Sequence, residues 1–133
     1  MMNRHKIVIE YPLQTKSENI VWQLIGTAEG LGKWIADYVT RDGDSMTFTW
    51  GEVWTHNETK TAQIIDIQTN RYIKMKWDYI DHKDAYWEMR IEKSDFTGHL
   101  ALIVTDFADD GDKEYLQSLW DDNMKRLHEI SGF

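Results

Sequence analysis

Cysteine is absent from this chain of 133 residues, which excludes disulfides, thiolate nucleophiles and cysteine metal sites together. Proline occurs once, and no stretch reads as a linker, a repeat or a low-complexity segment. Basic side chains are in deficit, 15 against 23 acidic ones, for a net charge of −8. That field repels phosphate backbones and anionic headgroups, so nucleic acid is excluded as an expected partner. No apolar run is long enough for a membrane span. Near the start, Arg4 and Lys6 are followed only by Ile7, Val8 and Ile9 before Glu10, which is no signal-peptide core. The expectation is a soluble cytoplasmic protein with no membrane insertion.

What is present is apolar and aromatic. Hydrophobic residues make up 41% of the chain and charged ones 29%, enough for one domain with a real core over residues 1–133. Seven Trp, six Tyr and four Phe are the unusual feature. They fill an aromatic core, line a binding site, or do both.

The pattern alternates from the start: His5 to Tyr11 reads as a strand with Ile7 and Ile9 on one face, ended by Pro12. Thr15 with Glu18, or Ser17, then caps a short helix over Ser17–Thr27, whose face is Ile20, Val21, Leu24, Ile25 and Ala28. Gly26, Gly30 and Gly32 punctuate the region, and a second short helix is expected over Glu29–Ala36. From Val39 the period becomes two. Met46, Phe48 and Trp50 follow the turn Asp42-Gly43-Asp44, in a strand that can run on to Trp54. After a turn at His56-Asn57-Glu58, Lys60 to Ile67 carries apolar residues on both faces.

Ile73, Met75, Trp77 and Tyr79 then alternate with Lys74, Lys76 and Asp78. Beyond a turn at Asp81 to Asp84, Ala85, Trp87, Met89 and Ile91 alternate with Tyr86, Glu88, Arg90 and Glu92. This predicts a solvated face with cross-strand ion pairs between the lysines and the acids. His99 to Phe107 forms the last strand.

Asp112 to Ile130 closes the chain as an amphipathic helix. Leu116, Leu119, Trp120, Met124, Leu127 and Ile130 form one stripe, Asp112 stands at the N-cap and Gly132 at the C-terminal stop. One-sided strands need a cover, and this helix alone is long enough to provide it. The fold class is therefore α+β: an antiparallel sheet of about six or seven strands curving around a long C-terminal helix.

Chemistry-bearing residues are sparse. His5, His56, His82, His99 and His128 lack metal-ligand spacing, so no metal and no cofactor is expected. Asp106, Asp109, Asp110 and Asp112 lack the alternation of a calcium loop and read as capping and solvation. Ser17, Ser45, Ser94, Ser118 and Ser131 have no nucleophile-elbow context, and no catalytic residue is assigned. Asn123 interrupts the apolar stripe. It makes a structural hydrogen bond to backbone or a tyrosine, or it faces a ligand or water.

Several segments, taken in order, carry a resemblance: Val21-Trp22, Leu31 to Asp37, Phe48-Thr49-Trp50-Gly51, Ile73 to Trp77, and Thr105 to Asp109 with Leu119-Trp120 and Leu127. Together they resemble the START-like (helix-grip) superfamily, in its branch related to activators of heat-shock-chaperone ATPase and to small uncharacterised START-like proteins. The resemblance implies a hydrophobic cavity between sheet and C-terminal helix, and members that bind lipids or other apolar molecules, act on chaperones, or, less often, catalyse.

The expected function is non-catalytic binding of a small hydrophobic or amphipathic molecule, lipids included, in such a cavity. Its expected lining is Trp50, Trp77, Tyr79, Trp87 and Met89 from the sheet, with Trp120, Asn123, Met124 and Leu127 from the helix. The alternatives are a protein-interaction module, either chaperone-regulator-like or a homodimer, and a small cyclase, dehydratase or hydrolase using cavity water.

Overall fold

A computed structural model describes residues 4–51, 57–80 and 85–133. The elements in chain order are β1 (Arg4–Pro12), α1 (Glu18–Ile25), α2 (Ala28–Leu31), β2 (Tyr38–Asp42), β3 (Ser45–Gly51), β4 (Asn57–Gln68), β5 (Tyr72–Trp77), β6 (Trp87–Lys93), β7 (Leu100–Asp109) and α3 (Lys113–Ser131). The expected run of the third strand to Trp54, the turn at Asp81 to Asp84, and His56 lie outside the described residues. Asn57 and Glu58, expected in a turn, already belong to β4.

Seven strands make one open antiparallel sheet in the order β1-β7-β6-β5-β4-β3-β2. Short turns make β2 to β7 a meander, and β1 closes onto β7 from Arg4↔Asp109 to Pro12↔Ala101. Pro12, which has no N–H to give a ladder, sits at the end of this edge strand. Alternation decides the faces: Ile7 and Ile9 are buried while Val8 between them is exposed. In β4 alternation buries Ile64 and exposes Ile65, and a register shift between Ile64 and Asp66 sets Ile67 opposite Ile73.

Ser17 is the N-cap of α1, its hydroxyl accepting from the Ile20 N–H. The buried face is Val21, Trp22, Leu24 and Ile25, and Ile20 lies outside it. α2 stops at Leu31, short of the expected Ala36. From there the chain continues in turns, with Lys33 N–H donating to the Gly30 carbonyl and Ile35 N–H to that of Leu31, and the fully buried Trp34 donates its indole N–H to the Leu24 carbonyl at 2.8 Å. Only glycine fits at position 30, where a Cβ would lie 1.8 Å from the Gln23 carbonyl oxygen.

α3 covers the inner face of the sheet. Gly132, at φ 77°, ends it by donating to the His128 carbonyl at 2.9 Å. Asp112 occupies the N-cap position through its backbone carbonyl, which accepts from Leu116, while its side chain makes no cap bond. The buried stripe is narrower than the periodicity suggests. Trp120, Asn123, Met124 and Leu127 are buried, and Leu119 and Ile130 are 44% and 49% exposed.

The outer face corrects one expectation. Lys74 and Glu88 are register partners, yet Glu88 pairs with Arg90 of its own strand at 2.7 Å. Lys74 Nζ instead lies 3.9 Å from the centre of the Tyr86 ring, and the Arg90 guanidinium stands 4.4 Å from that of Tyr72. Ring faces hold these cations without requiring a second long side chain to be ordered.

Candidate functional site

Inward positions of β3, β5 and β6 meet in an aromatic wall. Trp77 and Trp87 stack with centroids 5.1 Å apart and planes 18° apart, and Phe48 meets both edge-on at 5.2 and 5.6 Å. Trp50 stacks on Phe48 at 6.1 Å. From α3, Trp120 approaches Trp87 to 6.0 Å. Between wall and helix lies a cleft of about 140 Å³, bounded by Trp50, Trp77, Tyr79 and Trp87 on one side and Leu116, Leu119, Trp120 and Asn123 on the other.

Met89, Met124 and Leu127 were expected in the lining and are not part of it. They are exposed by 2% or less and pack within the closed part of the core. Flexible Met and Leu side chains interdigitate and leave no gap, whereas flat indoles fixed at their polar tips do not.

Two of the indoles lining the cleft, Trp50 and Trp120, are fixed by specific bonds. Trp50 Nε1 donates to the Ile35 carbonyl at 2.9 Å, and Trp120 Nε1 to Asp106 Oδ2 at 2.9 Å. Trp87 Nε1 is buried with no partner among the described residues.

Asp106 is the residue that sequence reasoning misplaced. Grouped with its acidic neighbours it read as solvated, but it lines the cleft. The signal was available, since β7 buries Leu100, Leu102 and Val104, and the same alternation points Asp106 inward. Burial pushes its pKa up to about 6, against the opposing pull of hydrogen bonds from Trp120 and the Phe107 N–H and of the Arg4 charge. Of the other acids, Asp109 pairs with Arg4 at 3.5 Å and Asp110 with His5.

Lys60 stands at the mouth, in phase with the buried Ala62 and Ile64. Its ammonium lies 3.1 Å from Glu58 and 4.9 Å from the centre of the Tyr79 ring. Burial alone would lower its pKa, but Glu58 and Tyr79 hold it above the ordinary value. Asn123, 7% exposed, accepts at Oδ1 from Arg126, whose Nε also donates to the Trp34 carbonyl at 3.0 Å. Its structural partner is thus an arginine one turn on, neither backbone nor tyrosine.

Beyond the mouth, an outer depression of about 290 Å³ shares Lys60, Trp77, Tyr79 and Asp106 with the cleft and reaches Arg4 and Tyr115. A larger hollow of about 510 Å³ near Phe96 and Pro12 lies open at the surface, away from the aromatic wall. No group of three or more His, Asp or Glu among the described residues is arranged to hold a metal ion.

A family model for a START-like superfamily domain matches the chain over residues 1–133, and the long C-terminal helix laid across an open antiparallel sheet agrees with it. The chain belongs to the START-like superfamily. The solution structure of a Bacteroides fragilis protein is similar at 33% identity and a TM-score of 0.66, covering 99% of this chain and 94% of that one. A Nitrosomonas europaea protein shares 10% identity and a TM-score of 0.70, covering 94% of this chain and 92% of its own. The Aha1 dimer of Colwellia psychrerythraea matches at 12% identity and a TM-score of 0.51, over 79% of this chain and 75% of its own. The last two likenesses bear on fold alone. No curated protein matches the chain. Among the described residues of this START-like protein, no helix is long and apolar enough to cross a membrane.

Proposed function

We propose that the chain, as one START-like unit over residues 1–133, binds a small apolar or amphipathic molecule in the aromatic cleft without transforming it. The observation that carries this reading is the unfilled space of about 140 Å³ between the indoles of the sheet and the first half of α3. Sites for drug-sized ligands run to about 300–1,000 Å³, while a dry apolar cavity of about 150 Å³ takes up benzene. The occupant's buried part is therefore a single ring or a short branched chain, with any remainder in the outer depression. A whole fatty acid or sterol does not fit inside, which narrows the lipid expectation.

Titrating single-ring aromatics while following tryptophan emission and ligand NMR line widths tests the reading. Saturable, equimolar uptake is expected. A set of such compounds that gives neither an emission change nor line broadening would remove the cleft as a ligand site.

One observation favours a second reading, a protein-contact surface. Tyr79, Tyr115 and Leu119 are 58%, 72% and 44% exposed and all border the outer depression. The similar Colwellia protein is a dimer. Sedimentation of this chain as a dimer that Tyr115→Ser and Leu119→Ser dissociate would favour that reading.

A further inference from the structure

Charge around the cleft and the depression outside it does not balance. Arg4 and Lys60 are the cations that border these spaces, and each is already engaged by an acid, Arg4 by Asp109 at 3.5 Å and Lys60 by Glu58 at 3.1 Å. Asp106 borders both spaces, is part-exposed, and makes no ion pair among the described residues. Its two hydrogen bonds come from neutral donors, the Trp120 indole at Oδ2 and the Phe107 N–H at Oδ1. An ionised carboxylate offers about four lone-pair sites, so Asp106 keeps acceptor capacity. A charge drawn out of water is ordinarily paired, and this one is not. Asp112, at the start of α3, adds further negative charge to the outer depression.

The aromatic walls suit the same sign. The face of an indole or phenol ring is the negative part of its quadrupole and attracts a cation. Two rings of the lining already do this within the protein: the Lys60 ammonium lies 4.9 Å from the centre of the Tyr79 ring and 5.8 Å from that of Trp50. An anion in the cleft would instead meet Asp106 in a poorly hydrated space and be repelled. We infer that the occupant is a small organic cation, a single ring or short branched chain bearing a protonated amine, with its apolar part in the cleft and its ammonium against Asp106.

This rests on the cleft being a ligand site, and the test separates the two claims. Benzylamine, benzyl alcohol and benzoate share one ring and differ in charge. At pH 8, where Asp106 is ionised and benzylamine protonated, Asp106→Asn should weaken benzylamine about ten- to hundredfold, the range that a hydrogen bond to a charged group confers. Benzyl alcohol should weaken by about threefold at most. Benzoate should bind the parent more weakly than either.

The parent protein supplies a reading that does not depend on the variant folding. Protonating Asp106 removes the partner of the ammonium, so benzylamine should lose up to about tenfold in affinity between pH 8 and pH 5, while benzyl alcohol holds level. By the same linkage, bound benzylamine should lower the pH at which the Asp106 carboxyl carbon titrates in NMR, and benzyl alcohol should leave it at about 6. The pH dependence should vanish in Asp106→Asn, which assigns it to this carboxyl and not to Glu58, Asp109 or Asp112. Equal weakening of benzylamine and benzyl alcohol by the variant, with a level pH profile in the parent, would overturn the inference and leave the cleft as a neutral apolar site. Tighter binding of benzoate than of benzylamine would overturn the sign, and no binding of any of the three would remove the site itself.

Discussion

Toward its C-terminal end, α3 lays Met124 and Leu127 into the same closed cluster as Met89, Leu102 and Val104. Two turns earlier, Leu116, Leu119 and Trp120 face Trp50, Trp77 and Trp87 across unfilled space. Both ends present apolar residues at helical spacing against apolar residues at strand spacing. They differ in what ties the side chains down. At the closed end nothing but packing decides the rotamers, so the side chains move until the gap is gone. At the open end, polar tips hold Trp50 on Ile35 and Trp120 on Asp106, and the rings stay where those bonds put them. Hydrophobic pattern identifies a buried face, and the polar atoms on it determine whether that face closes.

The largest expected effect lies at the closed end. Leu127→Ala removes a fully buried side chain and should cost about 2–5 kcal/mol in urea unfolding, because packed neighbours relax only partly around the hole. Leu119→Ala, at a position 44% exposed, should cost less than about 1 kcal/mol. Equal losses at the two positions would mean that the ends are packed alike.

Asp106→Asn comes next and probes the open end. The folded carboxyl titrates at about 6 against an ordinary 3.8, so the fold favours the protonated form. Stability from this group is fully present below about pH 3.8, is lost as pH rises through 6, and is level above that. The difference across the window is of order 1–3 kcal/mol, allowing for partial exposure. The asparagine variant, neutral throughout, should lack this loss and be more stable than the parent at pH 8. Parallel stability profiles for the two proteins between pH 4 and 8 would show that Asp106 is not held in a poorly hydrated cleft.

The same contrast sets what the sequence could reveal. Period-two runs and the closing helix made the sheet, its cover and the family legible, since each depends on local pattern. Trp50, Trp77, Tyr79, Trp87, Trp120 and Asn123 were legible as a set facing one space for the same reason. Met89, Met124 and Leu127 share that pattern and lie outside the cleft, because filling depends on three-dimensional fit. Asp106 was readable from the alternation of Leu100, Leu102 and Val104, but the acidic run after it drew the eye to solvent. The Arg126 bond to Asn123 spans less than one turn of α3, yet its effect depends on Trp34, which is remote in sequence.

Asn123→Leu sharpens the comparison within the helix. It removes the acceptor for Arg126, which keeps its bond to the Trp34 carbonyl, and adds apolar surface at a buried position. The two effects oppose, so stability should change by no more than about 1 kcal/mol. Binding is the informative readout. A single-ring aromatic that carries an acceptor oxygen should weaken by about 0.5–1.5 kcal/mol if the Asn123 amide meets that oxygen, with an oxygen-free ring of the same shape unchanged or tighter. Equal weakening of both compounds would show that leucine merely crowds the cleft.

The smallest expected effects lie on the other side of the sheet, where half-buried polar groups lie away from the cleft. Lys74 sits over the Tyr86 ring at 3.9 Å, a contact worth about 0.5–1 kcal/mol at an exposed site. Lys76 faces Gln63 across the ladder and makes no ion pair or ring contact of that kind among the described residues. Lys74→Ala should therefore cost up to about 1 kcal/mol and Lys76→Ala close to nothing, within roughly 0.5 kcal/mol. A cation held by a ring face is screened by salt less than an ion pair in open water, so raising salt should leave most of the gap between the two variants. Neither change should alter ligand affinity, because the sheet separates these lysines from the cleft. A binding defect in Lys74→Ala at unchanged stability would mean that the two faces communicate through β5, and the contrast between a sealed outer face and an unfinished inner one would then have to be abandoned.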